Sequence, residues 1–555
     1  MKSNVRTLLI ALLIFFTHRS FSQNCDSPMA QVDLAANNVR ARLNQGGSLW
    51  WDGSDGRYIF PANSNPTNEV SALFAGGFWM AGFDDGGNLK MAASTYGLGS
   101  GAGAYWAGPL NMNGDTDAST CANWDRFFKV NQLDINAHRA DWQDNGVIDN
   151  TIPVSILGWP GKGNPHFIGI HGFDLPDASL APFFDNDGNG QYNPYEGDYP
   201  MTREADEAIW WIFNYSSSLE LAGSLPLNVE VRVMAYAYAS DNDAINNTTF
   251  YDVQIVNRAI TSLDSTYFSL WVDPDLGCYT DDFVGCIPDE KMAIIYNEDA
   301  VDGSIGCNCD QGISTYCENI PMMAIKLIKG FSDQNGDDLG LSSFIIYGYG
   351  LPPNQSVPNN ASEYYNLMTA HWLDGSSMLD PQGNPTNFQY PGSPADENAW
   401  SMCSANLPQG DHRMLMNFGP FRLNPGESNS MTFAVIGVED VEYPCPATDQ
   451  ISGAASEVCD FYNILNKQNE IYLPENAVTF SPNPMTDQSV LSLKSSKLTI
   501  NELALYTSEG RLLLHQQNLH TKSYNIEGTS LPSGIYLYKI ICEDGRIAVG
   551  KFVVQ

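Results

Sequence analysis

The stretch Val478 to Gln555 alternates apolar and polar residues in short runs: Val490, Leu491 and Leu493; Leu503, Leu505 and Tyr506; Leu512 to Leu514. Successive side chains of a strand point to opposite faces, so each run has one face to bury. Turn residues recur roughly every 8–12 positions, the spacing of a small all-β sandwich. Ser508-Glu509-Gly510-Arg511 and Glu543-Asp544-Gly545-Arg546 supply tight turns, where glycine is free to take a positive φ.

Three motifs stand in order within this stretch. They are Ser481-Pro482-Asn483-Pro484, then Leu531-Pro532-Ser533-Gly534-Ile535-Tyr536-Leu537-Tyr538-Lys539, then the terminal Gly550-Lys551-Phe552-Val553-Val554. Together they resemble the type A C-terminal sorting domain of the type IX secretion system of Bacteroidetes. The resemblance implies an Ig-like seven-stranded sandwich over 478–555, recognised by the outer-membrane translocon. It also implies a surface sortase as partner, with the cargo released or attached at the surface.

At the other end, Lys2 and Arg6 precede the apolar run Leu8 to Phe16, and Ser20-Phe21-Ser22 follows. This reads as a signal peptide over 1–22 that is cut after Ser22. The run is short of the ~20 apolar residues that span a bilayer, and no transmembrane segment is expected elsewhere. Between the two ends lies a body long enough for two domains, expected at 23–225 and 226–470, with a linker at 471–477. The fold class expected is mainly β: a multidomain antiparallel β-sandwich body with irregular loops, followed by the small sorting sandwich.

Charge separates body from tail. The chain carries 27 Lys/Arg and 64 Asp/Glu, a formal net charge of −37. The tail is nearly balanced, so the excess of acid lies in the body. Such a surface repels nucleic acid and attracts divalent cations. Eleven cysteines in an exported chain point to disulfides. Cys542, in a tail strand, reads as a buried free thiol. Ten remain for pairing, and Cys278, Cys286, Cys307, Cys309 and Cys317 crowd together, so at least one bridge is expected there. The Cys307-Asn308-Cys309 spacing is too tight for a zinc pair.

In the first half, Ala72 to Phe83 and Leu89 to Thr95 read as a hairpin. The Trp/Gly-rich run Gly46 to Asp52 suits core better than a sugar platform, and Gly97 to Gly103 reads as a loop. The sharpest chemical motif is Asp185-Asn186-Asp187-Gly188-Asn189-Gly190-Gln191-Tyr192-Asn193-Pro194-Tyr195-Glu196. It fits the D-x-[DN]-x-[DN]-G-x5-E pattern. Ca²⁺ takes 6–8 hard oxygens, and alternate side chains of a tight loop converge on it. Asp185, Asp187, Asn189, the Gln191 carbonyl and Glu196 are the expected ligands. The bland alternative is an Asx-rich turn.

In the second half, Leu227 to Ala237, Thr249 to Asn257 and Thr266 to Val272 read as an antiparallel meander. It leads into Asp273, Asp275, Asp281 and Asp282. Carboxylates this close need a cation or a shared proton, so calcium is expected here too, with a protonated catalytic pair as alternative. Asp333 to Asp338 is a weaker third candidate. Asp449 to Lys467 is the one clear helix.

No H-E-x-x-H, G-x-S-x-G or P-loop is present. His166 and His171 flank an expected strand, Phe167 to Ile170, on opposite faces. The sequence therefore points to a secreted or surface protein stabilised by calcium, structural or adhesive, with an extracellular glycan or protein as ligand. The rival reading is a secreted hydrolase acting on polysaccharide, for which two carboxylates suffice.

Overall fold

The computed structural model describes residues 25–555 except 63–68, 97–104, 217–223, 406, 408–410, 469–472, 474–476, 495–497, 509–510, 518, 529–530 and 544–545, and only the backbone at 466–468. The expected signal peptide, the stretch Gly97 to Gly103 and most of the linker 471–477 lie outside the described residues. So do the tips of the two tail turns.

The body is built on two nine-stranded antiparallel sheets. The first runs Gln31–Leu34, Arg40–Asn44, Ser48–Leu49, Ala75–Phe83, Leu263–Asp273, His412–Leu423 and Ser343–Gly348, with two short strands at its margins. The second runs Asp282–Ile287, Met292–Asn297, Met322–Lys329, Ser428–Val438, Thr248–Asn257, Val229–Ala237, Glu207–Tyr215 and Trp106–Ala107. Phe128–Asn131 also pairs with Glu207–Tyr215.

The expected division at 225/226 does not separate two cores. Glu207–Tyr215 pairs along its whole length with Val229–Ala237, across that boundary. Ala75–Phe83 pairs with Leu263–Asp273 in the other sheet. The meander is corrected as well. Val229–Ala237 and Thr248–Asn257 are neighbours, but the next strand, Leu263–Asp273, crosses to the first sheet. Alternation in a sequence says that a strand has a buried face; it does not say in which sheet that face is buried.

Aromatic side chains fill the space between the sheets. Phe78 of the first sheet stacks on Phe213 of the second, with centroids 6.2 Å apart. Phe433 stacks on Tyr251 at 4.7 Å and meets Phe78 edge-on. Trp50 donates from Nε1 to the Tyr251 hydroxyl at 2.9 Å, and Tyr58 bonds Thr249 across the same gap at 2.9 Å. Each polar tip is thus answered inside the apolar layer. Trp50 is fully buried, as the core reading of the Trp/Gly-rich run requires. The other face of the first sheet is covered by Ala361–Met368 and its flanks, which bring Leu367, Met368 and Trp372 onto Trp79 and Trp271.

The helix Asp449–Gln468 lies on the second sheet, where Phe461 meets Tyr238 edge-on at 4.8 Å. It is not the sole substantial helix. Gln132–Asn145 is capped by Asn131, whose side chain accepts from Asp134 N, and it ends at Gly146 with φ 77°. It lacks an apolar stripe because only Gln132, Ile135, His138 and Asp141 are buried. His166 and His171 belong to a short helix, Phe167–His171, rather than to a strand.

Four disulfides join Cys25–Cys121, Cys278–Cys309, Cys307–Cys317 and Cys403–Cys445. The crowded segment thus holds two bridges. Cys542 is buried and outside these four bridges, as expected, but Cys286 and Cys459 also lie outside them.

The tail has seven strands in a three-stranded and a four-stranded sheet around its own core. Its three motifs meet. Gly534–Cys542 pairs with Ile547–Val554, Val553 N donates to Asn483 Oδ1 at 2.9 Å, and Phe480, next to the Pro-Asn-Pro opening, stacks on Phe552 at 4.3 Å.

Gly76 lies directly against the Trp50 ring of the aromatic layer. A Cβ there would lie 2.7 Å from Trp50 Cζ3. Gly76→Ala should push Trp50 off Tyr251 and destabilise the body by about 1–3 kcal/mol, the usual cost of overpacking. Urea unfolding followed by tryptophan fluorescence measures it. A midpoint unchanged from wild type would contradict this account of the core.

Candidate metal centres

The structure sorts the expected ligands into three separate places. The first is the loop Asp185 to Glu196. Phe183–Phe184 pairs with Tyr199–Pro200 and clasps its base. Asp185 accepts from Gly188 N at 2.8 Å and from Gly190 N at 2.7 Å. Asp187 accepts from Asn189 N at 3.0 Å. Asn189 Oδ1 accepts from Gln191 N, while its amide group donates to Asp187 at 2.9 Å and reaches Glu196 at 3.4 Å. Gly188 and Gly190 take φ 72° and 78°, which the turn demands.

A further acid, two residues past the motif, organises this loop. Asp198 is fully buried and accepts from Asn186 N and Asn193 N, each at 2.8 Å. Burial pushes its carboxyl up to about 6, and the charges of Asp185 and Asp187 add to that.

The second place lies at the end of Leu263–Asp273. Asp273, Asp275 and Asp411 bring ligand oxygens within 4.8 Å of one another. Tyr96 donates its hydroxyl to Asp273 at 2.5 Å. Arg413 faces Asp273 at 3.2 Å and Asp411 more closely, and donates from Nε to the Tyr96 oxygen at 3.0 Å. Burial, with the charges of Asp273 and Asp411, holds Asp275 well above the ordinary carboxylate range. Asp275 therefore keeps its proton against Asp273, and Arg413 balances the charge that remains. This cluster is compensated by its own residues.

The third place is different. Asp281 and Asp282 enter the strand Asp282–Ile287, and Asp282 stands opposite Asn297. Asp281 accepts from Gly303 N at 2.9 Å with one oxygen, and Asp282 from Leu276 N at 2.9 Å with one oxygen. Their other oxygens, Asp281 Oδ1 and Asp282 Oδ1, are buried without a partner, and so are Asn297 Oδ1 and Glu298 Oε2. Asp281, Asp282 and Asn297 are 2%, 5% and 0% exposed. Asp302 is fully buried and comes within 4.8 Å of Asp281. It accepts from Cys278 N at 2.9 Å and from Tyr316 N. Burial pushes Asp302 up to about 7 and Asp282 well above the ordinary range. Cys278 Sγ also lies here, but its bridge to Cys309 removes it as a thiolate ligand. What remains is a set of hard oxygens, some of them without a hydrogen bond, that could hold a hard cation.

Sequence reasoning joined Asp273 and Asp275 to Asp281 and Asp282; the structure groups Asp273 and Asp275 with Asp411 and Asp281 with Asp302, while Asp282 accepts from Leu276 N and feels the charges of both Asp275 and Asp281. It missed Asp198, Asn297 and Asp302. Asp198 had a local signal, the Gly-Asp that follows the loop motif; Asn297 reaches its site through strand pairing and Asp302 through the disulfide-bridged loop, and neither had one. Asp333 accepts from Asn335 N and Asp337 N at 2.7 and 2.9 Å, an Asx turn at the surface. His171 bonds the Gly158 carbonyl at 2.9 Å and His138 that of Asp198 at 3.0 Å.

Arg413→Gln separates the second cluster from the third. It should cost about 3–5 kcal/mol at pH 7, because it leaves buried carboxylates uncompensated. The sign with pH follows from the raised carboxyl of Asp273, pushed to about 6 by burial. A raised acid adds stability at low pH and loses it as pH climbs through its folded value. The deficit of the variant should therefore shrink between pH 7 and pH 5 in urea unfolding. A deficit equal at both pH values would show that Arg413 acts by packing alone.

Residues 479–555 match the family described as Secretion system C-terminal sorting domain. No curated protein is significantly similar in sequence to the chain. Among solved structures, a polysaccharide lyase shows 9% identity and a TM-score of 0.16, covering 59% of this chain and 34% of that one. The chain thus spans about a third of that lyase. The CBM51-2 and INT domains of ZmpB from Clostridium perfringens show 9% identity and a TM-score of 0.11, covering 58% and 92%. Latent PorU from Porphyromonas gingivalis shows 11% identity and a TM-score of 0.12, covering 62% and 31%. Likenesses this distant carry no argument about the body. The tail does: its family match, on a seven-stranded fold in which the three motifs meet, marks the chain as type IX secretion cargo, exported across the outer membrane and secreted or attached at the surface.

Proposed function

We propose that the exported body is a calcium-stabilised β-sandwich, presented outside the cell as a structural or adhesive module. One observation carries the calcium: the unpartnered oxygens of Asp281, Asp282 and Asn297, buried beside Asp302. A buried acceptor without a partner costs about 1–3 kcal/mol, and more when charged. Protons could relieve some of that cost. A Ca²⁺ ion would answer several such oxygens together, because it takes 6–8 oxygens at about 2.3–2.6 Å. The loop at 185–196 offers a second, more exposed position through Asp185, Asp187, Asn189, Gln191 and Glu196. The adhesive reading rests on the absence of a catalytic motif from the sequence, together with export through the tail.

Calcium at extracellular modules binds with dissociation constants on the order of 10⁻⁴–10⁻³ M. An ion that binds only the folded state adds about 2.7 kcal/mol at a hundred times that concentration. Chelation should therefore lower the melting temperature of the full chain, with Ca²⁺ restoring it and Mg²⁺ restoring little. Asn297→Ala should weaken the response to Ca²⁺, while Glu196→Gln should expose only the 185–196 loop to protease. A melting temperature indifferent to chelator would remove calcium from this reading.

A further inference from the structure

The body carries the chain's excess of acid, yet its large groove is basic. It has a volume of about 1430 Å³ and lies on the outer face of the second sheet. Its lining includes six basic side chains, Arg139, Lys162, Arg203, Arg232, Arg258 and Lys329, against the three carboxylates Asp177, Glu204 and Asp252. In a chain of net charge −37 this is a local reversal of sign.

The floor consists of cross-strand rows. Arg232 stands opposite Gln254, and Gln254 opposite Ser430. In the next row Met234 stands opposite Asp252, and Asp252 opposite Thr432. The helix Gln132–Asn145 gives Arg139 to the wall, and Phe184 and Tyr199, stacked at 4.7 Å, give it flat aromatic surface.

Behind the floor sits one carboxylate. Glu230, fully buried, accepts from Arg232 Nη2 at 2.9 Å, from Arg258 Nη2 at 3.1 Å and from Leu110 N at 2.9 Å. Two guanidiniums thus share one carboxylate, and a positive charge is left over at the groove. Arg232 also bonds Gln254 at 3.2 Å. Arg232 is 8% exposed, and its Nε–H, like that of Arg258, is buried without an acceptor. Arg203 and Arg139 are each answered, by Asp252 and Glu204. Arg232 and Arg258 instead divide the single Glu230 between them, so this pair keeps one positive charge without its own carboxylate.

We infer that this groove binds a carboxylate-bearing saccharide, with Arg232 and Arg258 taking the carboxylate and the Gln254–Ser430 row taking sugar hydroxyls. A guanidinium matches a carboxylate with two parallel N–H bonds. The volume exceeds the ~300–1,000 Å³ of ordinary small-molecule pockets, which suits several sugar units. A mixed floor of amide, hydroxyl and aromatic groups suits the alternating polar and apolar faces of a sugar ring. Length decides against nucleic acid: a long, stiff polyanion meets the field of the whole acidic body, whereas a short saccharide meets only the groove. This inference rests on the adhesive reading and names its ligand class.

The test is titration of the full chain in calcium with tetragalacturonate, its methyl-esterified neutral form and a tetra-aspartate peptide. Tetragalacturonate should bind at least tenfold more tightly than either, and rising salt should weaken it. Arg232→Gln should lose tenfold or more. Ser430→Trp fills the groove from an exposed floor position without touching Glu230. It should lose as much while keeping the wild-type melting temperature, which guards against misfolding of the first variant. Binding of the neutral sugar alone, indifferent to Ser430→Trp, would overturn the inference and leave the adhesive reading standing. Preference for the peptide would overturn it too. Shortening of tetragalacturonate during the titration would overturn the adhesive reading, while the groove would stand if Ser430→Trp abolished the shortening.

Discussion

The body depends on one layer of aromatic side chains that two sheets must close over together. Trp50, Tyr58 and Phe78 come from the first sheet; Phe213, Tyr251 and Phe433 come from the second. Each ring is large enough to need the opposite sheet as its partner, so neither sheet can bury its inner face alone. This explains why both halves of the chain feed both sheets. It also explains why glycine stands at Gly76, opposite Leu49, where the Trp50 ring leaves no space for a Cβ.

A sandwich packed this densely pushes its charges to the strand ends, and there the protein uses two solutions. At Asp273 the chain supplies the counter-charge from a neighbouring strand, with Arg413 two residues after Asp411. At Asp281, Asp282 and Asp302 the described residues bring no Lys or Arg into ion-pair distance of the carboxylates. Asp302 accepts a backbone N–H on each oxygen, whereas Asp281 and Asp282 accept one each and leave the other oxygen without a hydrogen bond. Both sites hold buried acids on adjoining loops of similar composition. What separates them is whether a cation is built into the chain.

The tail was legible because its signals are local. Its alternation, turns and three motifs lie within a single small fold, and the motifs touch where that fold closes. The hairpin Ala75–Phe83 with Leu89–Ala93 was legible for the same reason. The body's topology was not. Leu263–Asp273 alternates just as Thr248–Asn257 does, and only the aromatic layer assigns them to different sheets. Glu207–Tyr215 escaped notice because it is buried on both faces and shows no alternation. Trp210 faces the groove side of its sheet while Trp211 is sealed within the core, so the run reads as continuous apolar sequence. For the sites, ligands within one loop could be counted along the sequence. Asn297 and Asp302 could not, because a strand pairing and a disulfide knot carry them to Asp281.

The segment from Cys278 to Cys317 shows why crosslinks and acids gather together. Between Asn297 and Ile320 few side chains reach the core: Asp302 and Tyr316 are buried, and most of the rest are exposed or half-buried. Such a stretch cannot offset its own ordering entropy with apolar burial. Two bridges shorten it covalently, and Asp302 fixes it by accepting from Cys278 N and Tyr316 N, one on each side of the knot. A carboxylate is the side chain that can accept from both at once, since each of its oxygens takes a donor. Placing that carboxylate in the interior brings its charge beside Asp281. The acid that orders the segment is thus the same acid that raises the local charge, and the bridges hold it where a proton or a cation must answer it.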